Sequence, residues 1–402
     1  MRKPTLAALR RKVASIVIPD AKTTPLPSGT GKPRVLCFMV AYPTFSETYM
    51  HEEIRSLSEQ FEIRIITYRK STRQRLHAWE YTRIEYEDPC LVYSPIEEIN
   101  QGFGNPEQLR FIQRVDAVIE EFKPHVMHGH YFGLSMLLRH LAERHEIPFT
   151  LRTHSMDILA EPSRKLEACS EAANSPWCKR VLAFPASVSR LTDRGLDPRK
   201  IESCWSVMNF QRFYKPEERP PTGRVMCCGP AIEKKAHKDF IDLAAMMQGR
   251  SDFEFDLYAR GHFLKATRTH NARRGGAVNI TYVDPDEMSG VYPRYDWFIY
   301  PSDPKINKVG LPVGIAEAQA SGIGVCWQEL PGRRQEQLDY LGGGGFLFKS
   351  LDELPELLSR PYPKEMRLLG FKAAKKSDIE RHKYLLSEVW DTIADTKELA
   401  AA

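Results

Sequence analysis

The chain has 402 residues, 42% of them hydrophobic and 27% charged, with a formal net charge of +5. Such a balance is ordinary for a soluble globular protein with room for two or three domains, and the charge is too small by itself to argue for nucleic acid. No apolar run approaches the length of a membrane span, and the eight cysteines show no zinc-type spacing, so they read as reduced thiols of a cytosolic protein.

The N-terminus is basic (Arg2, Lys3, Arg10, Arg11, Lys12), with Leu6, Leu9, Val13 and Ile16 on one helical face. It lacks the apolar core and cleavage site of a signal peptide. Two readings stay open for it: an amphipathic helix on an anionic membrane surface, or a locally packed or disordered tail. Residues 21–32, rich in Pro, Thr, Ser and Gly, read as a linker. Residues 34–40 form the first expected strand, and 41–45 a loop. Ser46 is placed to cap a helix whose apolar face is Met50, Ile54, Leu57 and Phe61, and 63–68 is the second strand. A strand–loop–helix–strand opening is the doubly wound pattern. Helices follow at 109–122, 134–145 and 187–194. Strands are expected at 125–128, at 149–151 (ending in Arg152-Thr153-His154), at 181–184 and at 201–206.

Residues 216–221 hold three prolines and three charged residues, which suits a hinge. The alternation restarts at Arg224, with Cys227-Cys228 read as a buried apolar pair. A helix is expected at 238–247, and strands at 255–258, 280–283, 297–300 and 323–327. The tetraglycine at 342–345 reads as a turn. A final helix spans about 377–398, with Tyr384, Leu385, Val389 and Ile393 on one face. Two doubly wound halves in series leave one cleft, floored by the strand ends of both sheets.

The stretch from Gly310 to Gly322 organises the rest. Pro312 suits a first helical turn and Gly322 the residue past the helix end. Free N–H groups around Val313, Gly314 and Ile315 form an anion site at the helix start. Glu317, one turn in, is placed to bridge two vicinal hydroxyls, so a diphosphate attached to a ribose satisfies both requirements.

Several segments resemble, in order, those of the retaining, nucleotide-sugar-dependent family 4 glycosyltransferases. They are Pro43-Thr44-Phe45-Ser46-Glu47-Thr48, His125–His130 with Thr153-His154, Val207–Phe213, Glu233-Lys234-Lys235, Gly310–Gly322, and Pro331-Gly332 with Glu336. The resemblance implies a GT-B fold, an α/β architecture of two Rossmann-like domains facing a cleft, closed by a C-terminal crossover helix. The expected divisions are 1–33 (basic segment and linker), 34–215 (acceptor side), 222–376 (nucleotide-sugar side) and 377–402 (helix returning to the first domain). By resemblance Glu317 would hold the ribose. Lys235, with Lys234 beside it, would pair with the diphosphate, helped by Gly310 and the amides of Val313 and Gly314. His154 would meet the donor sugar or the reacting face, and Ser46, Glu47 and Thr48 would line the acceptor side.

The implied reaction moves a sugar from a nucleotide donor to a glycan or lipid-linked glycan with retention, in bacterial-type surface polysaccharide synthesis. It needs no metal and no cofactor beyond the nucleotide sugar. The expected location is the cytoplasm, or the inner membrane face through the basic N-terminus. Three departures stand out: Val309 replaces a family glutamate, Pro230 replaces the arginine of a Gly-Arg pair, and Ala236 replaces a glycine. Lys305 or Lys308 is near enough in sequence to supply substitute charge. These departures motivate an alternative, a catalytically silent subunit that binds nucleotide sugar beside an active transferase. A third reading is another reaction on the scaffold, such as epimerisation of a nucleotide sugar.

Overall fold

The computed structural model describes residues 31–42, 44, 46–69, 81–84, 106–159, 163–250, 252–306 and 310–401. The basic N-terminal segment, Pro43, Phe45, Lys308 and Val309 lie outside the described residues.

Two parallel sheets carry the fold. The first contains β1 (Arg34–Ala41), β2 (Glu62–Arg69), β3 (Tyr81–Arg83), β4 (Val126–His130), β5 (Phe149–Arg152), β6 (Cys178–Ala183) and β7 (Ile201–Ser203), in the order 3-2-1-4-5-6-7. The second contains β8 (Arg224–Pro230), β9 (Glu254–Arg260), β10 (Asn279–Thr281), β11 (Trp297–Tyr300), β12 (Gly324–Gln328) and β13 (Phe346–Phe348), in the order 10-9-8-11-12-13. In each sheet the chain reverses direction beside its first strand: β1 pairs with both β2 and β4, and β8 with both β9 and β11. That reversal is the switch point of a doubly wound sheet, where loops part at the carboxyl ends and leave a crevice.

Burial on both faces explains the strand sequences. Along β1, Leu36 and Phe38 pack with Phe111, Ile112 and Val115 of the helix Pro106–Phe122, while Val35, Cys37 and Met39 face the opposite layer. That layer is built by α1 (Thr48–Leu57) through Met50, Ile54 and Leu57, and by α7 (Tyr384–Ala401), the last helix, through Leu386, Trp390 and Ile393. Between them in the chain lie α2 (Pro106–Phe122), α3 (Ser135–His145), α4 (His237–Met246), α5 (Val313–Ala320) and α6 (Lys364–Ala374). No helix among the described residues is long and apolar enough to cross a membrane.

Sequence expectations need correction at Ser46, at the final helix and its buried face, and at the strand 201–206. Ser46 does not cap α1: the helix starts at Thr48, Glu47 holds the cap position without a side-chain cap bond, and Ser46 is exposed. Thr44 Oγ1 instead accepts from the Glu47 N–H at 3.2 Å. The final helix is interrupted, because Asp378 accepts from the Glu380 N–H and starts the short helix Ile379–His382 before α7 begins. Its buried stripe is Leu386, Trp390, Ile393 and Ala394, with Tyr384 51% exposed, since the fully buried Trp390 sets the facing. The tetraglycine forms the expected turn and also makes a close contact. Gly342 ends the preceding helix at φ 56°, and a Cβ on Gly344 would lie 2.2 Å from Gly370 Cα, so two glycines let the turn before β13 touch α6. Finally, the expected strand 201–206 stops at Ser203.

Residues 215–219 are pinned to the second sheet's helices. Arg367 donates to the Pro216 carbonyl at 2.9 Å, and Arg219 donates to Ser321 O at 2.6 Å. The chain also crosses back: Met208 N–H donates to Ser377 O, and Ile379 N–H to Met208 O, each at 2.8 Å.

Candidate functional site

A cleft of about 590 Å³ opens between the carboxyl ends of the two sheets. All ten residues singled out from the sequence line it: Ser46, Glu47, Thr48 and His154 from the first half, and Lys234, Lys235, Gly310, Val313, Gly314 and Glu317 from the second. The structure therefore brings together groups up to 271 positions apart, because each follows the carboxyl end of a strand at or next to a switch point.

On the second side, α5 begins with Pro312 in the cap position (φ −73°, ψ 117°), one residue earlier than its expected place inside the first turn. No side chain caps this helix, so its leading N–H groups at Val313 and Gly314 are left to a ligand. Glu317 lies one turn in, 9% exposed, and accepts from Tyr292 OH at 2.9 Å. Burial pushes its carboxyl up to about 7, against the pull of Arg212 and of that hydrogen bond. Lys235 ends the 3-10 turn Glu233–Lys235, which follows β8. Its Nζ donates to Tyr300 OH and sits 4.1 Å from that ring's centre. Burial lowers its ammonium to about 8. Gly229, at φ 142°, takes a backbone conformation that a side chain would strain, and it lies beside the Lys235 stem. Ala236 takes the left-handed conformation (φ 44°) that explains a glycine in the family pattern, and as alanine it carries that strain.

On the first side, His154 follows β5, its N–H held by Asp157 Oδ1 at 2.8 Å. Its ring lies between those of Tyr49 (centroids 5.0 Å apart) and Tyr131 (4.6 Å). Burial, then the charge of Arg152, lowers the imidazole to about 3, so the ring is neutral. Glu47 accepts from Tyr131 OH and from Thr44 Oγ1. Burial raises its carboxyl while these bonds and Lys234, from the other half, pull it down.

The sequence reading missed the aromatic frame of Tyr49, Tyr131 and Tyr300, which no motif marks. It also missed a buried cluster beneath His154. Where no ligand cluster was expected, the donor atoms of Glu53, His128 and His130 lie within 4.8 Å of one another. The period-2 spacing of His128 and His130 on a buried strand was the available signal; Glu53, 75 positions away from His128, gave none. Cys227 is buried as expected, but Cys228 faces the cleft, its Sγ 3.2 Å from Tyr292 OH.

Residues 46–201 match a family described as glycosyl transferase 4-like domain. That match covers most of the first half of the chain, and the two doubly wound sheets have the GT-B fold. Solved structures agree on that fold. HepE of Anabaena, in complex with UDP and glucose, is 14% identical with a TM-score of 0.66, over 89% of this chain and 99% of its own. Sucrose-phosphate synthase of Thermosynechococcus elongatus is 13% identical (TM-score 0.64) over 92% of this chain and 100% of its own. WaaG, a glycosyltransferase involved in lipopolysaccharide biosynthesis, is 12% identical (TM-score 0.61) over 88% and 99%. No curated protein matches the chain. In this GT-B frame the family match covers the half that carries His154, and the helix start with Glu317 lies in the other.

Proposed function

We propose that this GT-B protein transfers a sugar from a nucleotide-diphosphate donor to a glycan or lipid-linked glycan, with retention at the anomeric carbon. The observation that carries the reading is one cleft with an uncapped helix start, a buried carboxylic acid and a lysine facing a neutral histidine. Glu317 takes the ribose hydroxyls. Lys235 and the amides of Val313 and Gly314 take the diphosphate, with Lys234 and Gly310 at its edge. As the sugar–phosphate bond breaks, negative charge grows on the leaving diphosphate, and these fixed groups stabilise it. Positive charge grows on the sugar, and a neutral His154 contacts it without repulsion. Ser46, Glu47 and Thr48 receive the acceptor. The scheme uses no metal. HepE was solved with UDP and glucose, and WaaG serves lipopolysaccharide biosynthesis; on that likeness we place the enzyme in surface polysaccharide synthesis, on the cytoplasmic side of a membrane.

Pro230, at the cleft end of β8 where the family places arginine, favours a second reading as a silent nucleotide-sugar-binding subunit. Incubation with a panel of nucleotide sugars and crude acceptor extract, followed by NMR, separates the two. Transfer with retained configuration supports the enzyme; donor binding without consumption supports the subunit; conversion of donor without acceptor supports epimerisation.

Two expected outcomes follow. Lys235→Ala weakens nucleoside diphosphates roughly tenfold while leaving nucleosides unchanged, because the lost group pairs with phosphate. Calorimetry showing equal loss for both ligands would assign the lysine to folding. A donor touching both sides of the cleft also favours the closed form. Small-angle scattering should show a smaller radius of gyration with nucleotide sugar than without, and an unchanged radius would remove hinge closure at 216–221.

A further inference from the structure

Beneath the His154 wall of the cleft lies a charge that the reaction scheme does not use. Glu53, on α1, is 1% exposed. Its Oε2 pairs with the guanidinium of Arg152, and its Oε1 faces His130 Nε2 at 3.3 Å and His128 Nε2 at 3.5 Å. Behind His128, Nδ1 lies 2.8 Å from Thr150 Oγ1, which also accepts from Trp390 Nε1 at 3.0 Å. Behind His130, Nδ1 lies 3.4 Å from His154 Nε2, with the two rings 5.5 Å apart and nearly parallel. Glu53, His128, His130, Thr150 and Trp390 are all at most 1% exposed, so the network is sealed from bulk solvent.

Protons can be assigned from the carboxylate outward. Burial alone would raise the Glu53 acid, but Arg152 beside it and the His128 contact hold it well below the usual carboxylate range. An ionised carboxylate only accepts, and at these contacts, which fall outside hydrogen-bond geometry, hydrogen on both facing Nε2 atoms is the arrangement without lone-pair repulsion. Burial keeps both histidines neutral, and a neutral ring has one N–H, which leaves each Nδ1 as an acceptor. Thr150 supplies the hydroxyl hydrogen to His128. For His130 the donor is His154 Nε2.

We infer that Glu53 is a positioning residue: acting through His130, it fixes His154 as the Nε2–H tautomer. The one polar ring atom left to a ligand is then the bare Nδ1, an acceptor for a sugar hydroxyl. That last step rests on the proposed transfer reaction, whereas the tautomer does not. By distance alone the three donor atoms would suit a divalent cation. Arg152, however, already neutralises the carboxylate, and a second cation would sit beside it in a dry interior.

Long-range proton–nitrogen NMR on histidine-labelled protein reads the tautomer without turnover. Wild type should show a pyrrole-type Nε2 and a pyridine-type Nδ1 for His154, assigned by loss of those signals in His154→Gln. His130→Phe removes the acceptor but keeps the Glu53–Arg152 pair, and it should shift both His154 nitrogens toward an average of the two tautomers. Turnover should fall roughly ten- to a hundredfold, the usual loss for an orienting partner, with donor affinity held within about twofold. Glu53→Gln, whose amide can donate to His130 Nε2 and move its hydrogen to Nδ1, should shift the His154 nitrogens in the same direction and further, toward the Nδ1–H tautomer; if it does not fold, His130→Phe decides alone. A wild-type Nδ1–H tautomer, an unchanged His154 signature in His130→Phe, or one metal ion per chain bound at His128 and His130 would each overturn the inference. If wild type consumes no nucleotide sugar, the transfer reading fails while the nitrogen shifts still decide the tautomer.

Discussion

Trp390→Ala is expected to destabilise the protein by about 3–5 kcal/mol, the range for truncating a large aromatic in a packed core. The indole is fully buried in the layer between β1, α1 and α7. It meets Phe61 edge to face at 5.2 Å and donates to Thr150 Oγ1 at 3.0 Å. Alanine would leave a cavity there and remove a hydrogen bond from a buried hydroxyl that also serves His128. The chain's last helix thus closes the core begun by its first strand, and the effect should appear as loss of cooperative stability of the first half. Urea unfolding followed by circular dichroism, with an unchanged slope, is the measurement. A loss below about 1 kcal/mol would mean that α7 docks without belonging to the cooperative unit. Val389→Ala, one residue away but only partly buried, should cost much less.

That helix also shows where sequence reading ends. Its presence was legible from periodicity, but its buried face was not. A stripe drawn through Tyr384, Leu385, Val389 and Ile393 is rotated from the real one through Leu386, Trp390 and Ile393. The choice depends on what the first sheet offers, and the helix sequence does not contain that. The doubly wound alternation was legible because buried parallel strands are short apolar runs, as at Trp297–Tyr300, between helices with caps and glycine stops. Three-residue edge strands such as β3 and β13 are too short to show a period. At the site, residues on one motif were visible together, as with Val313, Gly314 and Glu317. The Glu53 cluster was not, because its members come from α1, β4 and β5 and meet only through topology.

Glu317→Ala is expected to weaken nucleotide-sugar binding by about 1.5–3 kcal/mol, the range for hydrogen bonds to a charged acceptor. The carboxyl is buried, hydrogen-bonded to Tyr292 and raised to about 7. Without ligand, the folded state therefore holds this proton more tightly than the unfolded chain. The sign follows: this group's contribution to stability falls as pH rises from its ordinary range, near 4.5, to about 7, and is constant above. Binding runs the opposite way. Ribose hydroxyls donate to the carboxylate, so a donor binds the ionised form better, releases a proton below about pH 7, and gains affinity as pH rises to that point. Lys235 gives the other limb. Its ammonium, lowered by burial to about 8, must stay charged to hold the diphosphate, so affinity falls as pH rises past that value. The affinity profile should be bell-shaped, with its maximum between the two. Calorimetry in buffers of different ionisation enthalpy measures both affinity and proton release. Glu317→Gln should flatten the acid limb and Lys235→Met the alkaline limb, each leaving the other limb in place. An acid limb that survives in Glu317→Gln would assign it to another group, and a folded Glu317→Ala protein with wild-type affinity would remove the ribose role.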